Sequence, residues 1–350
     1  MDETRLMAFV GRAVGDLGAL VNGALVVIGD RLGLYRAMAG AGPLTPAELA
    51  EKTGTAERYV REWLSAQAAH GYLDHHEGDR FSLPEEHAVA LTDETSPACV
   101  VGGYELGLAA VHATDRLTDA FRTGAGMGWG QHHHDVFEGC ERFFRPGYRA
   151  SLVAAWLPAL DGVEERLRTG IRVADVGCGH GASTLLMAEA YPASTFVGID
   201  VHEPSVEAAR KRAAAAGLSD RVAFEVGSAT GYGAPGAFDL VCFFDSLHDM
   251  GDPAGACAHA HSVLDEAGSM MLVEPFAGDS VADNLHPVGA AYYAFSTLLC
   301  TPNSLAEDVG IALGAQAGEA RLAEVVTGAG FASCRRVAET PFNLVLEAKA

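Results

Sequence analysis

One stretch of the sequence, VADVGCGHGAST at residues 173–184, decides the fold of this chain. Its first residues, Val173–Val176, have the composition of a buried β-strand, and the residues from Ala182 onward have that of a helix. Glycines at 177, 179 and 181 separate the two. Because glycine has no side chain, the backbone can turn sharply there and a ligand can lie against main-chain amides. The stretch therefore predicts an α/β domain whose first loop binds a nucleoside-containing ligand.

The pattern on the carboxyl side of this stretch extends the same fold to the end of the chain. Candidate strands lie at residues 172–176, 195–199, 222–226, 240–244, 270–273, 334–338 and 343–347. Alanine-rich helical stretches alternate with them, which predicts a mostly parallel sheet wound with helices, a Rossmann-like domain over residues 161–350. The connection at residues 280–318 exceeds an ordinary loop, and we interpret it as a functional insertion.

Two aspartates decide which nucleoside the loop binds. The glycine pattern that begins at residue 177, G-x-G-x-x-A, fits NAD as well as S-adenosylmethionine (SAM). Asp175 lies two residues before the first glycine, where a carboxylate would face a pyrophosphate unfavourably but could hold the ammonium group of SAM. Asp200 ends the next strand, where it could accept both ribose hydroxyls, and the small residues of Gly227–Ala229 suit the edge of an adenine pocket. These features favour SAM as the cofactor.

The first 95 residues have the pattern of a winged-helix domain. Thr45–Glu48 reads TPAE, a capping box with proline at the first helical position, and Thr55 can cap a second helix over about residues 56–70. Two short runs around the polar turn at residues 76–79 then predict a hairpin. We therefore predict a winged-helix domain at residues 1–95, followed at residues 96–160 by a helical linker region that contributes to the substrate pocket.

The charge of the chain argues against nucleic acid and membrane surfaces as partners. Its 24 Lys+Arg and 46 Asp+Glu residues give a net charge of −22, which repels phosphate backbones and anionic lipids. In the predicted second helix, Arg58 and Arg61 are offset by Glu57 and Glu62. We expect this domain to pack against another subunit or to cover the active site. The scattered, odd number of cysteines and the start of the chain, which has no signal-peptide pattern, predict a cytoplasmic protein.

The chain resembles the class I SAM-dependent methyltransferases over about residues 147–349. Their successive motifs are matched by residues 173–181, 196–200, 224–229 and 238–245 and by the later L-x-x-x-G at residues 264–268. The resemblance implies a seven-stranded sheet in the order 3-2-1-4-5-7-6 with strand 7 antiparallel. With the winged helix in front, the whole chain resembles a two-domain bacterial subfamily, which implies a homodimer. The predicted cofactor residues are Asp175, Gly177, Gly179, Gly181, Asp200, Val201, Gly227, Ser228, Ala229, Phe244, Asp245 and Tyr148.

The candidate catalytic residues are His248 and Asp249, just beyond the fourth strand of the domain. The carboxyl ends of the strands face the ligand crevice in such sheets, so His248 is well placed to act on a bound molecule. It resembles the proton-abstracting histidine of two-domain O-methyltransferases, although Met250 stands where that motif has an aromatic residue. Two roles stay open for His248: general base, or a structural residue that hydrogen-bonds the backbone.

The acceptor pocket is predicted from aromatic residues outside the glycine loop. Trp129 and His133 belong to the segment WGQHHHD at residues 129–135, which precedes the Rossmann-like domain, and no metal site is predicted there. Tyr292, Tyr293 and Phe295 lie in the insertion and supply the aromatic surface typical of an organic-ligand pocket.

Together these features predict a SAM-dependent methyltransferase of a small organic metabolite, with O-methylation favoured over N- or C-methylation. Two alternatives remain. One is a metal-assisted C-methyltransferase of an enolisable 2-oxo acid, in which His248 and a second histidine hold the metal. The other is a SAM-binding transcriptional regulator that acts through the winged helix, which requires salt-sensitive DNA binding.

Overall fold

The computed structural model describes all 350 residues and divides into two compact units. The first unit comprises residues 1–108 and 138–147, and the second comprises residues 109–137 and 148–350. Residues 96–160, which we predicted as one linker region, are therefore shared between the two units.

The first unit contains the predicted winged helix. Its helices are α1 (Glu3–Arg31), α2 (Leu34–Met38), α3 (Pro46–Thr53), α4 (Glu57–Ala69), α5 (Glu85–Thr92) and α6 (Val101–Ala110). The capping box at α3 forms as predicted, since Glu48 N donates to Thr45 Oγ1 and Thr45 N donates to the Glu48 carboxylate. Strands β1 (Asp74–His76) and β2 (Arg80–Ser82) make the antiparallel wing.

The basic residues of α4 are paired with acidic neighbours. Arg58 lies 2.6 Å from Glu62, and Arg61 pairs with both Glu57 and Asp79. Their charges are therefore largely neutralised on a helix that would have to meet phosphates if this unit bound DNA.

Helix α1 carries an apolar surface that nothing in the chain covers. Asp2 caps its start by accepting from Arg5 N. The exposed apolar side chains along it are Leu6, Met7, Phe9, Val10, Val14, Leu17, Leu20, Val21 and Ile28. By length and composition the helix could cross a membrane, a test that signal sequences and buried helices of soluble proteins also pass.

The second unit is built on the seven-stranded sheet that the family resemblance implied. The strands are β3 (Arg172–Val176), β4 (Thr195–Asp200), β5 (Val222–Val226), β6 (Phe238–Phe244), β7 (Leu264–Pro275), β8 (Ser333–Glu339) and β9 (Asn343–Lys349). Their order is β5-β4-β3-β6-β7-β9-β8, with β9 antiparallel to both neighbours. Counted within this domain, that is the order 3-2-1-4-5-7-6, so the predicted fold is confirmed.

Ten further helices precede this sheet in the chain or connect its strands. They are α7 (Thr114–Thr123), α8 (Asp135–Ser151), α9 (Leu157–Ala159), α10 (Val163–Thr169), α11 (Ala182–Ala190), α12 (Glu203–Ala215), α13 (Pro253–Val263), α14 (Pro287–Phe295), α15 (Thr301–Ala306) and α16 (Gly318–Gly328). Residues 138–147 of α8 belong to the first unit. The predicted insertion contains α14, a π-helical turn at Ser296–Cys300, and α15. A second π-helical turn lies at Leu152–Trp156, and the functional role of the insertion stays a prediction.

Candidate active site

The parallel strands bring four loops to one edge of the sheet. In the registered pairs, Val176 faces both Ile199 and Phe243, and Phe244 faces Val273. The residues that follow β3, β4, β6 and β7 therefore lie side by side. Every predicted site residue of the Rossmann-like domain outside the insertion and the β5 loop follows or ends one of these strands.

The glycine loop has the conformation that its sequence requires. Gly177, Gly179 and Gly181 all have positive φ, at 77°, 51° and 78°. A side chain at residue 177 would lie 2.6 Å from Ser246 Cβ, and one at residue 181 would lie 2.6 Å from the Phe224 ring. At Gly179, by contrast, no atom lies within 4 Å of where a Cβ would be. The backbone at Gly179 is therefore open to a ligand.

Asp175 has one satisfied and one unsatisfied carboxylate oxygen. Its side chain is fully buried, and its Oδ2 accepts from Ser183 Oγ and Thr184 Oγ1, each at 2.6 Å. Its Oδ1 has no hydrogen-bond partner. Burial raises the pKa of this carboxyl to about 6. A buried carboxylate oxygen without a partner suits a cationic donor such as the ammonium of SAM, held directly or through water.

Asp200 supports the glycine loop from the end of β4. Its Oδ2 accepts from Gly179 N at 2.8 Å, and its Oδ1 accepts from His202 N at 2.8 Å. Burial raises its pKa, and these two backbone hydrogen bonds oppose that effect. Each oxygen keeps a second lone pair, so a pair of ribose hydroxyls can still be accepted. Val201 is 59% exposed beside it, and Gly227 N donates to the Asp200 carbonyl, which places the predicted Gly227–Ala229 loop next to Asp200.

Asp245 is bonded to two side chains of the protein. Its Oδ2 accepts from Tyr148 Oη at 2.7 Å, and its Oδ1 accepts from Asn343 Nδ2 at 2.9 Å. Asp245 has φ 50°, unusual outside glycine, and burial, with Glu274 nearby, raises its pKa to about 8. The Tyr148 ring lies 5.5 Å from that of Phe244. Three predicted cofactor residues are thus brought together, but their polar groups bind one another and Asn343, which we did not predict.

His248 is paired with a buried carboxylate. Its Nδ1 lies 2.5 Å from Glu274 Oε2, and Glu274 Oε1 accepts from Leu247 N at 3.0 Å. Both side chains are buried. Burial alone would lower the pKa of His248, but the charge of Glu274 and the contact with Cys300 outweigh it and raise that pKa well above its usual value. The other ring nitrogen, Nε2, lies 3.3 Å from Cys300 Sγ.

Glu274 is a site residue that the sequence analysis missed. It ends the apolar run MMLVE in β7, the strand beside the one that leads to His248. The sequence signal that could have identified it is a single carboxylate at the end of an otherwise apolar parallel strand. Asp249, the other predicted catalytic residue, is half-buried next to His248, and burial raises its pKa to about 7.

The acceptor-side segment, residues 126–137, buries His132 and leaves the predicted His133 exposed. Trp129 N donates to Asn303 Oδ1 at 2.8 Å, and the Trp129 ring lies 6.1 Å from that of His132. His132 is buried, neither of its ring nitrogens has a partner, and burial lowers its pKa to about 4. His133 instead is exposed and stacks on His112 at 4.8 Å. His132, rather than His133, points into the protein.

The predicted aromatic residues of the insertion occupy two environments. Tyr292 is buried, and its hydroxyl donates to the Phe342 carbonyl at 2.9 Å, so its polar group serves the fold. Tyr293 and Phe295 are half-buried on α14. Their role in binding an acceptor stays a prediction.

Two groups of side chains have the spacing of metal ligands. The ligand atoms of His248, Asp249 and Cys300 lie within 4.8 Å of one another, as do those of a second group. The second group is His133, His134 and Asp135.

Comparison with known proteins finds a matching family model for each part of the chain. Residues 167–304 match the family model of a methyltransferase domain, and residues 21–93 match that of the Rv2258c-like winged helix-turn-helix domain. The 27-O-demethylrifamycin SV methyltransferase of Amycolatopsis mediterranei (strain S699) is 36% identical over 139 residues, 38% of this chain and 51% of that protein. The chain thus matches about half the length of this curated relative.

Two solved structures share the fold over nearly the whole chain. Mitomycin 7-O-methyltransferase has a TM-score of 0.69 at 23% identity, covering 99% of this chain and 100% of its own. An O-methyltransferase from neocarzinostatin biosynthesis, solved with S-adenosyl-L-homocysteine (SAH) and 1,4-dihydroxy-2-naphthoic acid, has a TM-score of 0.61 at 18% identity, covering 97% and 98%. The chain therefore has a domain that matches methyltransferases, with the fold of these O-methyltransferases, preceded by a winged-helix domain, as the sequence predicted.

Proposed function

We propose that this protein is a SAM-dependent O-methyltransferase of a small organic molecule, with His248 as the general base. The observation that carries the proposal is the pairing of His248 with Glu274 at the sheet edge that also holds the glycine loop. Ser246, two residues before His248, bonds the carbonyl of Val176 at the start of that loop. The base and the cofactor loop are therefore neighbours.

We assign the cofactor to residues whose geometry suits its groups. When bound, SAM supplies an electrophilic methyl group on a sulfonium. The unpartnered Oδ1 of Asp175 would hold the ammonium directly or through water, and Asp200 would accept the ribose hydroxyls. The open backbone at Gly179 leaves room for the nucleoside. SAM has no phosphate, whereas NAD has a pyrophosphate that these two carboxylates would repel. The residues therefore favour SAM over NAD.

The base would act through the nitrogen that does not face Glu274. An acceptor hydroxyl within hydrogen-bond distance of His248 Nε2 would pass its proton to that nitrogen as the oxygen attacks the methyl group. Glu274, bonded to Nδ1, would fix the tautomer and stabilise the imidazolium that forms. The thiol of Cys300 lies 3.3 Å from Nε2, so it would have to move aside or share that nitrogen with the acceptor hydroxyl.

We further propose an acceptor with an aromatic or polyketide-like body. Trp129 and Phe137 belong to the acceptor-side segment, and their ring centroids lie 5.8 Å apart. The Phe137 ring also lies 4.1 Å from that of His202, two residues after Asp200. Flat aromatic walls favour flat apolar ligands. The neocarzinostatin-pathway neighbour, solved with a dihydroxynaphthoic acid, supports this class.

The test of the base is the variant His248→Ala. With 1,4-dihydroxy-2-naphthoic acid and related phenols as acceptors, we expect SAH release by the wild type and about a 100-fold or greater loss of turnover in the variant. The affinity for SAH should stay within about twofold, because the proposal places His248 on the acceptor and not on the cofactor. Near-normal turnover in the variant would reject the base and leave positioning alone as the mechanism.

The metal-assisted C-methyltransferase is a second candidate, favoured by one observation. The ligand atoms of His248, Asp249 and Cys300 lie within 4.8 Å of one another, and His248 Nδ1 is bonded to a carboxylate, as in most metal-bound histidines. Metal analysis of the purified protein and assays with a chelator separate the two candidates. Full activity without metal rejects this one.

We propose that the chain forms a homodimer in the cytoplasm through α1. The apolar side chains exposed along α1 would be covered by a second copy, which would remove them from water.

A further inference from the structure

The turn that carries His248, residues 247–251, is hydrogen-bonded to the insertion. The carbonyl of each residue from His248 to Gly251 accepts a hydrogen bond from a group in residues 303–314. The donors, in order, are Gly314 N at 2.9 Å, Asn303 Nδ2 at 2.9 Å, Ser304 Oγ at 2.8 Å and Ile311 N at 3.0 Å. Gly251 N in addition donates to Glu307 Oε2 at 2.7 Å. The insertion therefore supplies hydrogen-bond partners to four successive carbonyls of the turn.

Asn303 alone among these donors also reaches the acceptor-side segment. Its Oδ1 accepts from Trp129 N at 2.8 Å, while its Nδ2 donates to the Asp249 carbonyl. Its side chain is buried, on the helix that begins just after Cys300. The adjacent Pro302 carbonyl accepts from Met127 N at 2.8 Å, and a side chain at Gly126 would lie 2.0 Å from Ala306 N. The segment therefore lies directly against α15.

We propose that Asn303 is a positioning residue of this site, which holds the His248 turn and the Trp129 segment in one fixed relation. The inference rests on the proposed function, because it assigns the base to that turn and the acceptor wall to that segment. One amide makes both bonds at once, so a shift of the turn away from the segment lengthens one of them. Asn303 Nδ2 also donates to Glu307 Oε1 at 3.3 Å, within the insertion. Asn303 itself touches neither the imidazole nor the cofactor loop in the contacts described above.

The variants for the test are Asn303→Leu and Ser304→Ala, with Asn284→Leu as the matched control. Leucine at 303 has nearly the size of asparagine and makes neither bond. Alanine at 304 removes the bond to the Met250 carbonyl and the bond that Ser304 Oγ accepts from Ala312 N, and it leaves the Trp129 bond intact. Asn284 lies in the same insertion, is also buried, and its side chain bonds the backbone of Gly278 and no residue of the His248 turn.

The readout is the titration of the His248 imidazole by NMR in the full-length protein, assigned with His248→Ala, together with amide exchange at Trp129. The titratable groups that interact with this imidazole are Glu274 of β7, Cys300 of the π-helical turn, and Asp245 and Asp249, which flank it in sequence. In Asn303→Leu we expect the titration midpoint to fall toward its ordinary value, because the Glu274 contact loosens. We also expect about a tenfold faster exchange at Trp129. In Ser304→Ala only the midpoint should fall, and in Asn284→Leu neither should change.

An unchanged midpoint in folded Asn303→Leu, or an equal fall in Asn284→Leu, would overturn the proposal. Slow exchange at Trp129 in Asn303→Leu would also overturn it. None of these measurements needs turnover, so a failure of the proposed function, seen as a protein that binds no SAH, is distinguished from a failure of this inference.

Discussion

At the scale of single residues, the proposed role of His248 as a base depends on its ion pair with Glu274. A histidine acts as a base only when it is unprotonated, and the neighbouring carboxylate raises the pKa of His248 well above its usual value. The unprotonated form is therefore lost as the pH falls through that raised pKa. We expect kcat/KM to rise with pH along an acid limb whose midpoint lies above about 6.5, the ordinary histidine value.

The variant Glu274→Gln changes that profile in a defined direction. Glutamine keeps the shape and an acceptor for Nδ1 but removes the charge that stabilises the imidazolium. The acid limb of kcat/KM should move to lower pH, while the plateau falls about tenfold or more because the imidazolium formed during transfer is less stabilised. A Glu274→Gln profile that superimposes on the wild type would show that the pair does not govern the reaction.

Asp200 supports a separate prediction about cofactor affinity. Its carboxylate both braces Gly179 and is assigned to the ribose, so Asp200→Ala should weaken SAH binding by roughly 1.5–3 kcal/mol, the strength of charge-assisted hydrogen bonds. Isothermal titration measures this, with Asp220→Ala, an exposed aspartate distant in sequence from the loop, as the control. Equal affinities in both variants would remove Asp200 from the cofactor site.

At the scale of elements, α1 is the segment whose amino-acid pattern most requires a partner. Leu6, Val10, Leu17 and Val21 recur at helical spacing on one face and are all exposed. Leu17→Glu would place a charge in the middle of that stripe, and we expect it to convert a dimer to a monomer at micromolar concentration in light-scattering measurements. The control is Asp16→Glu, which keeps the charge next to the stripe. A wild-type protein that is monomeric under the same conditions would contradict the proposed homodimer.

The elements also show which predictions the sequence could support. Strand positions and the glycine loop were correct because buried parallel strands need apolar residues and tight turns need glycine, and both constraints are local. The ends were less accurate: β7 begins at Leu264 rather than Met270, since Leu264 pairs with Phe238 across an irregularity in the ladder. That pairing depends on a neighbouring strand and has no local signal.

The choice of histidine could not be made from sequence for a similar reason. In HHH at residues 132–134 every residue has the same chemistry, and only packing decides that His132 is buried while His133 is exposed. Asn303 and Glu274 are likewise single polar residues in apolar surroundings, and their partners are 174 and 26 residues away along the chain. Long-range contacts of this kind need the fold before they can be recognised.

At the scale of the whole molecule, residues 21–93 match a winged helix-turn-helix domain and residues 167–304 match a methyltransferase domain. The glycine pattern at residue 177 admits NAD as well as SAM, and the choice of SAM rests on Asp175, Asp200 and the seven-stranded sheet. The proposed function therefore depends first on SAM being the cofactor, because His248 can assist methyl transfer only if a methyl donor is bound.

The most direct test of that claim is isothermal titration of the full-length protein with SAH and, separately, with NAD. We expect micromolar SAH binding to one site per chain and no heat from NAD. Binding of NAD with no binding of SAH would contradict it.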